Sequence, residues 1–348
     1  MKGLVKTQKG DGFLEVRDVE KATLRGADWV LIEVKAAGVC GTDLHIWHDL
    51  FPYWPPVVLG HEFAGEIVEV GPKCKRGFKV GDRVVAEPHS FACGTCYLCR
   101  QGKDQLCAEK RSPGWGFDGG FTKYVTMPER LLHKIPDKLP WDIAALAEPM
   151  AICVHQVTER CGIGCQDTVV VTGSGPIGIM CAFVAKAMGA GRVIVTGLAS
   201  CEKQRFPVAR ALGADLTVNV QEQNPVDVVM DLTDGIGADV VLETSGSGPG
   251  VTQSILELKK TGRLCAIGMG APRIEVPWSL LCQKSIDVVG CMSSSGSAWD
   301  PALKLMAATD KDLGLLITHH ADINDWERVF RDLEAENGIK AVFTSFGE

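Results

Sequence analysis

Hydrophobic and polar positions fall into two successive rhythms along the chain. Up to about residue 150, short apolar runs alternate with polar positions and are broken by Gly and Pro. Val30, Ile32, Val34 and Ala36 alternate with Leu31, Glu33 and Lys35, and the runs EFAGEIVEVG and RVVAEP follow. A period of two sets one face of a strand against a core, so this part predicts a β-rich, barrel-like fold. From about residue 165, apolar strand, turn and helix alternate instead. DTVVVTG, the helix IGIMCAFVAKAMG, RVIVTG, a polar helix to Leu212 and LTVNV come in turn, with later strands at ADVVLET, GRLCAIG and SIDVVGC. That alternation predicts a parallel sheet of about six strands covered on both faces, the doubly wound arrangement. Near the end, Trp326, Val329, Phe330 and Leu333 stand at i, i+3, i+4 and i+7 of an amphipathic helix with Asn324 as candidate N-cap, followed by a closing strand, IKAVFTSF. No internal repeat or long linker interrupts the pattern.

The chain has 348 residues, enough for two domains that each bury a core. A formal net charge of −7, with no cluster of Lys and Arg, offers no footprint for nucleic acid or anionic lipid, so small-molecule partners are expected. The start, MKGLVKTQKG, has no apolar core of a signal, and no apolar run is long enough to span a membrane. A cytoplasmic protein is therefore expected. The 14 cysteines then read as reduced thiols and metal ligands. Cys93, Cys96, Cys99 and Cys107 crowd together, whereas Cys153, Cys161, Cys165, Cys181, Cys201, Cys265, Cys282 and Cys291 are scattered among apolar residues as core fillers.

Gly173-Ser174-Gly175-Pro176-Ile177-Gly178 stands between the strand Thr168–Thr172 and an apolar helix, the setting in which G-x-G-x-x-G binds a dinucleotide pyrophosphate at a helix N-terminus. The second strand, Arg192–Thr196, is followed by Gly197 where an acidic residue ordinarily holds the ribose of NAD. Lys203 and Arg205 suit the 2′-phosphate of NADP, but Glu202 is an alternative carboxylate, so both cofactors stay open. Gly268 and Met269, after a later strand, are further candidate cofactor contacts. Cys93-x2-Cys96-x2-Cys99-x7-Cys107 supplies the four thiolates of a closed structural zinc site. A zinc ribbon for nucleic acid is disfavoured by the net acidic chain. Cys40, His61, Glu62 and Glu148, from separate segments, offer an open set suited to a catalytic metal, although taken singly Cys40 reads better as a core thiol, His61 as a turn histidine and Glu148 as a helix N-terminal charge.

These motifs together resemble the zinc-dependent medium-chain dehydrogenases/reductases, the alcohol dehydrogenase superfamily, and most closely their sorbitol (polyol) and threonine dehydrogenase branch. AAGVCGTDLHIW, VLGHEFAGEIVEVG, VGDRVVAEP, CGTCYLCRQGKDQLC, DGGFTKYV and VTGSGPIG carry the resemblance across essentially the whole chain. It implies a GroES-like catalytic domain over residues 1–153 and 293–348 and a Rossmann domain over 154–292. It also implies catalytic zinc on Cys40, His61 and Glu62, with Glu148 as the further carboxylate, and a second, structural zinc on Cys93, Cys96, Cys99 and Cys107. Thr42 matches the hydroxyl that relays the substrate proton and His45 the histidine at the outer end of that relay. Family members are commonly dimers or tetramers, so a homo-oligomer is expected.

Zinc neutralised by one cysteinate and one glutamate remains a Lewis acid that favours an alkoxide at neutral pH, which helps expel hydride to nicotinamide. The reaction is expected between the two domains. Threonine dehydrogenases carry a histidine ahead of the cysteine lobe, matched loosely by His89, but tend to have Asp-Pro where this chain has Glu148-Pro149. The expected substrate is therefore a small polyol, with threonine or 2,3-butanediol as alternatives. Trp47, Phe51, Trp115 and Phe117 are candidate pocket walls. A dinucleotide-binding protein without catalysis and a zinc-free reductase of activated double bonds are both disfavoured by the two complete ligand sets.

Overall fold

The computed structural model describes residues 1–270 and 273–347, which form two compact units. The first comprises Met1–Ala151, Ser295–Thr309 and Ile317–Glu348, and the second Ile152–Ser294 and Asp310–Leu316. In chain order the strands are β1 (Lys2–Lys6), β2 (Leu14–Asp18), β3 (Trp29–Gly38), β4 (Val57–Val58), β5 (Glu62–Val70), β6 (Arg83–Ala86), β7 (Tyr124–Pro128) and β8 (Leu132–Lys134). The second unit adds β9 (Thr168–Thr172), β10 (Arg192–Gly197), β11 (Leu216–Asn219), β12 (Ala238–Glu243), β13 (Leu258–Ala266) and β14 (Asp287–Gly290). The chain then returns to the first with β15 (Ile317–Asp322) and β16 (Lys340–Ser345).

In the first unit β3 is the spine. It pairs antiparallel with β5, β7 and β16, and the sheet runs β15-β16-β3-β5-β6-β8. A smaller sheet, β2-β1-β4, completes the β-rich half that the alternation predicts. Val30, Ile32 and Val34 of β3 share a core with Ile67, Val125, Met127 and Phe343. Each buried apolar side chain contributes roughly 1.5–3 kcal/mol relative to exposure.

The helix Trp326–Glu334 lays Val329 and Phe330 into this core, as its spacing predicts, and Trp47 meets Trp326 and Phe330 edge-on at 5.6 and 6.0 Å. Its cap differs from the expectation. Asn324 lies inside a short turn, Ile323–Asp325, whose own cap is Asp322, accepting from Asn324 N at 2.8 Å; the helix proper follows Asp325. Asn324 instead donates both its backbone amide and, at 2.7 Å, its side-chain amide to the Asp322 carboxylate two residues earlier, so its side chain is turned away from the helix.

The second unit is an all-parallel sheet in the order β11-β10-β9-β12-β13-β14, the doubly wound arrangement, with the reversal of strand order between β9 and β12. Val170, Ile194, Val218, Val241 and Leu264 form its buried centre. The scattered cysteines divide more than expected. Cys153, Cys181 and Cys201 are buried fillers, but Cys165 and Cys282 are exposed, and Cys161 and Cys265 are joined in a disulfide. The bond forms because the chain after the helical turn His155–Arg160 runs beside β13, bringing the two Cα atoms to 6.3 Å.

One ionic clamp ties three parts of the first unit together. His48, just after the helix Gly41–Trp47, stands with Nδ1 at 2.8 Å from Asp11 and Nε2 at 2.6 Å from Glu334. Partial burial pulls its pKa down, but the two carboxylates outweigh that and hold it above the ordinary histidine value of 6.5. A raised folded pKa contributes stability that is complete below the unfolded value and is lost as pH rises through the folded one. The ring is partly exposed, so the effect is screened to about 0.5 kcal/mol. Thermal unfolding of His48→Gln should therefore differ from the parent by roughly 1–2 °C at pH 6 and by less above pH 8; a gap that widens with pH would contradict the clamp.

Candidate active site

The register of β3 on β5 assembles a cluster from residues far apart in sequence. Gly38, the last residue of β3, is paired with Glu62, the first of β5. Cys40 lies just beyond Gly38, and His61 just before Glu62. One ligand atom from each of Cys40, His61 and Glu62 lies within 4.8 Å of the others. β16 approaches the same place, because Val342 is paired with Gly38 and Lys340 precedes it by one side-chain repeat. A side chain at Gly38 would run into the Glu62 carboxylate and the Lys340 stem, so only glycine leaves room for them to meet.

Glu62 is 1% exposed and Lys340 3%, and Lys340 Nζ stands 2.6 Å from both carboxylate oxygens, hydrogen-bonded to Oε1. Burial lowers the lysine pKa, but Glu62 and Cys40 more than compensate and it is raised. Asp43, fully buried, is the second organiser. It accepts from Cys40 N at 2.9 Å and Gly60 N at 3.3 Å, and its Oδ1 stands 3.8 Å from His61 Nδ1. Such a carboxylate behind a histidine fixes the ring for ligation. Glu148, from the helix Ala147–Val154, is 5% exposed. Burial pushes its pKa up to about 7, with His61 drawing it down and Glu62 adding to the rise. It lies near enough to feel the charges of His61, Glu62 and Lys340 but outside the three-residue set.

The donor set fits a divalent cation. Glu148 Oε2 is buried without a hydrogen-bond partner, a costly state for a polar atom, and Glu62 Oε2 has the Lys340 ammonium beside it but no hydrogen bond. Burial, then the neighbouring Glu62 charge, drives the Cys40 thiol far above its ordinary range, so only a cation at this point stabilises its thiolate. The second cluster is local. All four sulfurs of Cys93, Cys96, Cys99 and Cys107 lie within 4.8 Å, with Cys96 and Cys93 at 3.5 and 3.9 Å from Cys99. Zinc–sulfur bonds of about 2.3 Å in a tetrahedron require sulfur separations of about 3.8 Å. The amides of Cys93, Cys96 and Cys99 donate to Cys107, Cys93 and Cys96 sulfurs at 3.4, 3.3 and 3.5 Å. Hydrogen bonds from the Thr95 and Cys96 backbone bring the Cys93 thiol down to about 6.

Thr42 and His45 share one face of the helix Gly41–Trp47 at i, i+3; Thr42 is half-buried and His45 exposed. No hydrogen bond joins them among the described residues. The aromatic expectations separate. Trp115 packs edge-on against the His61 ring at 5.0 Å and against Phe51 at 5.5 Å, placing both beside the cluster. Trp47 belongs to the core with Phe330, and Phe117 packs on Trp29. His89 is buried 3.2 Å from Glu87, which also pairs with His133 at 3.1 Å. Asp43 and Lys340 were not singled out from sequence. Asp43 follows Cys40 at the capping spacing, and Lys340 alternates in phase with Val342 inside an apolar strand, where a solvated lysine is out of place.

In the second unit Gly173, Ser174 and Gly175 follow β9, and Pro176 opens the helix Pro176–Ala187 that carries Ile177 and Gly178. Thr244 Oγ1 pins the loop by donating to Thr172 O at 2.9 Å and Gly173 O at 3.1 Å, while the Ser174 hydroxyl is buried and unpartnered. The turn after β12 packs against Gly268, whose amide donates to Glu243 O at 2.8 Å; Met269 next to it is exposed. Gly197 ends β10, Lys203 is exposed, and Arg205 begins the helix Arg205–Leu212. These residues lie at the C-terminal ends of the strands near the reversal of strand order, where doubly wound sheets bind nucleotides.

Comparison with known proteins agrees with both units. The alcohol dehydrogenase GroES-like domain family matches residues 26–137 and the zinc-binding dehydrogenase family residues 176–308. A sorbitol dehydrogenase of Halalkalibacterium halodurans is 41% identical over 99% of each chain, and an L-threonine 3-dehydrogenase of Rhizobium etli 35% identical over 98% of each. The crystal structure of a zinc-binding dehydrogenase from Sinorhizobium meliloti bound to NADP superposes with a TM-score of 0.89 at 30% identity, over 98% of each chain. Two domain families in the right order and near-complete coverage by such relatives make the chain a member of the zinc-binding alcohol dehydrogenase family, an NAD(P)-dependent dehydrogenase of the medium-chain dehydrogenase/reductase superfamily.

Proposed function

We propose that this dehydrogenase oxidises a secondary hydroxyl of a polyol or sugar alcohol to a ketone, with two zinc ions per subunit. The convergence of Cys40, His61 and Glu62 on one buried point carries the reading, because a soft and two harder ligands leave a fourth position for substrate. Bound there, zinc supplies a Lewis acid that favours the ionised hydroxyl, and the nicotinamide supplies the hydride acceptor. Asp43 orients His61 and caps Cys40, so the ligands are held before the substrate arrives. Lys340 balances Glu62, which keeps the buried pocket from accumulating unpaired negative charge. Thr42 accepts the proton from the substrate hydroxyl, and His45, one turn on and exposed, delivers it to solvent. Glu148 stands behind the ligands as a carboxyl that holds or releases a proton near neutrality. Phe51 and Trp115 form the apolar side of the pocket, suited to the carbon chain of a small hydroxylated substrate.

The four cysteines of the lobe hold the second zinc, which stabilises a segment poor in regular structure. The outer edge of β14 pairs with no strand among the described residues and carries an exposed Val288, in keeping with a homo-oligomer, a dimer or tetramer. We place the protein in the cytoplasm, where free thiolate ligands persist.

Initial rates with sorbitol, xylitol, galactitol, inositol, threonine and 2,3-butanediol test the reading directly. A chelator-sensitive rate on one polyol supports it, and a rate confined to threonine or butanediol replaces it. Metal analysis separates the two sites: Cys40→Ser should fall from two zinc ions to one and lose turnover by at least about a thousandfold while still binding dinucleotide. Cys99→Ser should lose the other ion and aggregate or unfold at lower temperature. Two ions retained in either variant would remove that cysteine from its site. Lys340→Met leaves Glu62 buried without its partner, so metal-free protein should lose about 3–5 kcal/mol of stability. Zinc replaces the missing cation, so the loss should shrink markedly on metal addition; an equal loss with and without zinc would show that Lys340 serves packing alone.

A further inference from the structure

In a doubly wound sheet the adenosine ribose of a bound dinucleotide lies by the C-terminal end of the second strand, where a carboxylate selects a 2′-hydroxyl and cations select a 2′-phosphate. That strand is β10, and it ends at Gly197. A Cβ at this position would lie 2.7 Å from Ser174 Oγ, 3.0 Å from a Phe206 ring carbon and 3.2 Å from Cys201 Sγ. A side chain there would need the Ser174 hydroxyl to turn away and Phe206 and Cys201 to give by a few tenths of an ångström, so the loop packs closely on a glycine.

The nearest alternative carboxylate is already engaged. Glu202 Oε1 accepts from Asn219 Nδ2 at 2.6 Å, and that amide cannot turn over, because its Oδ1 accepts from Gln221 N at 3.0 Å. Ala199 N donates to Gln221 Oε1 at 2.9 Å, which ties the same loop to the segment after β11 at a second point. Beyond these ties come two cations. Lys203 is exposed and makes no ion pair among the described residues, and Arg205 is the first residue of the helix Arg205–Leu212. The first turn of that helix contains no acidic residue, and its N-cap, Gln204, offers no side-chain hydrogen bond.

We propose that the loop 198–205 recognises a 2′-phosphate, so that the enzyme prefers NADP to NAD, with Lys203 and Arg205 as the specificity-determining cations. The proposal rests on the dinucleotide reading above and decides its cofactor. A 2′-phosphate carries close to two negative charges, and a loop with two cations and one carboxylate, whose Oε1 is held by Asn219, favours it over a neutral hydroxyl.

Calorimetric titration of the purified protein with 2′,5′-ADP and with 5′-AMP isolates the 2′-phosphate without any turnover. At low salt 2′,5′-ADP should bind at least tenfold more tightly, and its advantage should shrink as ionic strength rises. Lys203→Ala and Arg205→Gln should each reduce that advantage at least threefold and leave 5′-AMP affinity unchanged. Should Arg205→Gln fold poorly, the exposed Lys203 carries the comparison. Equal or tighter binding of 5′-AMP, or a preference that survives both substitutions, overturns the proposal. Failure of both nucleotides to bind removes the dinucleotide reading and this proposal with it. Tight 2′,5′-ADP binding in a protein inactive on every polyol leaves the proposal standing and removes only the substrate class.

Discussion

The antiparallel register of β3 on β5 is the constraint on which the chemistry of the first unit depends. It places Gly38 opposite Glu62 and so brings Cys40 to His61 and Glu62, while β16 adds Lys340 from the far end of the chain. A slip of one residue would turn every side chain of β5 to the other face and scatter the cluster. The same register explains why so much charge is buried at one point. Lys340 compensates Glu62 directly, whereas the Cys40 thiol and Glu148 are left with raised pKa values that a divalent cation would relieve.

The two cysteine-containing clusters solve the same electrostatic problem in different ways. The lobe of Cys93, Cys96, Cys99 and Cys107 is nearly self-contained, with backbone amides of its own turns bonding its sulfurs. Its ligands all come from one loop, so it needs little from the rest of the unit. The Cys40 cluster depends on three strands, a helix cap and a buried carboxylate behind the histidine. That dependence makes it rigid on its protein side, with the Trp115 ring packed edge-on against His61.

The second unit shows a comparable division between a general scaffold and a local decision. The strand order, the glycine turn and the pinned Ser174 loop serve any dinucleotide. The local decision proposed above concerns a few side chains after β10, where Gly197 is closely packed and Glu202 Oε1 is bonded to Asn219.

Periodicity alone determined the two-part organisation, the β-rich half, the parallel sheet and its glycine turn, because strand and helix periods are local properties of the chain. Spacing alone marked the four-cysteine lobe, whose ligands are sequence neighbours. Cys40, His61, Glu62 and Glu148 were legible as a group only through the family resemblance, since nothing local relates residue 40 to residue 61 or 148. Asp43 and Lys340 escaped notice because a carboxylate in a helical turn and a lysine in a strand are ordinarily solvated; only strand pairing revealed their burial. The Cys161–Cys265 disulfide and the Asp322 cap likewise depended on segments meeting in space. What the tertiary structure decided was in each case which polar groups had lost water and which partner had replaced it.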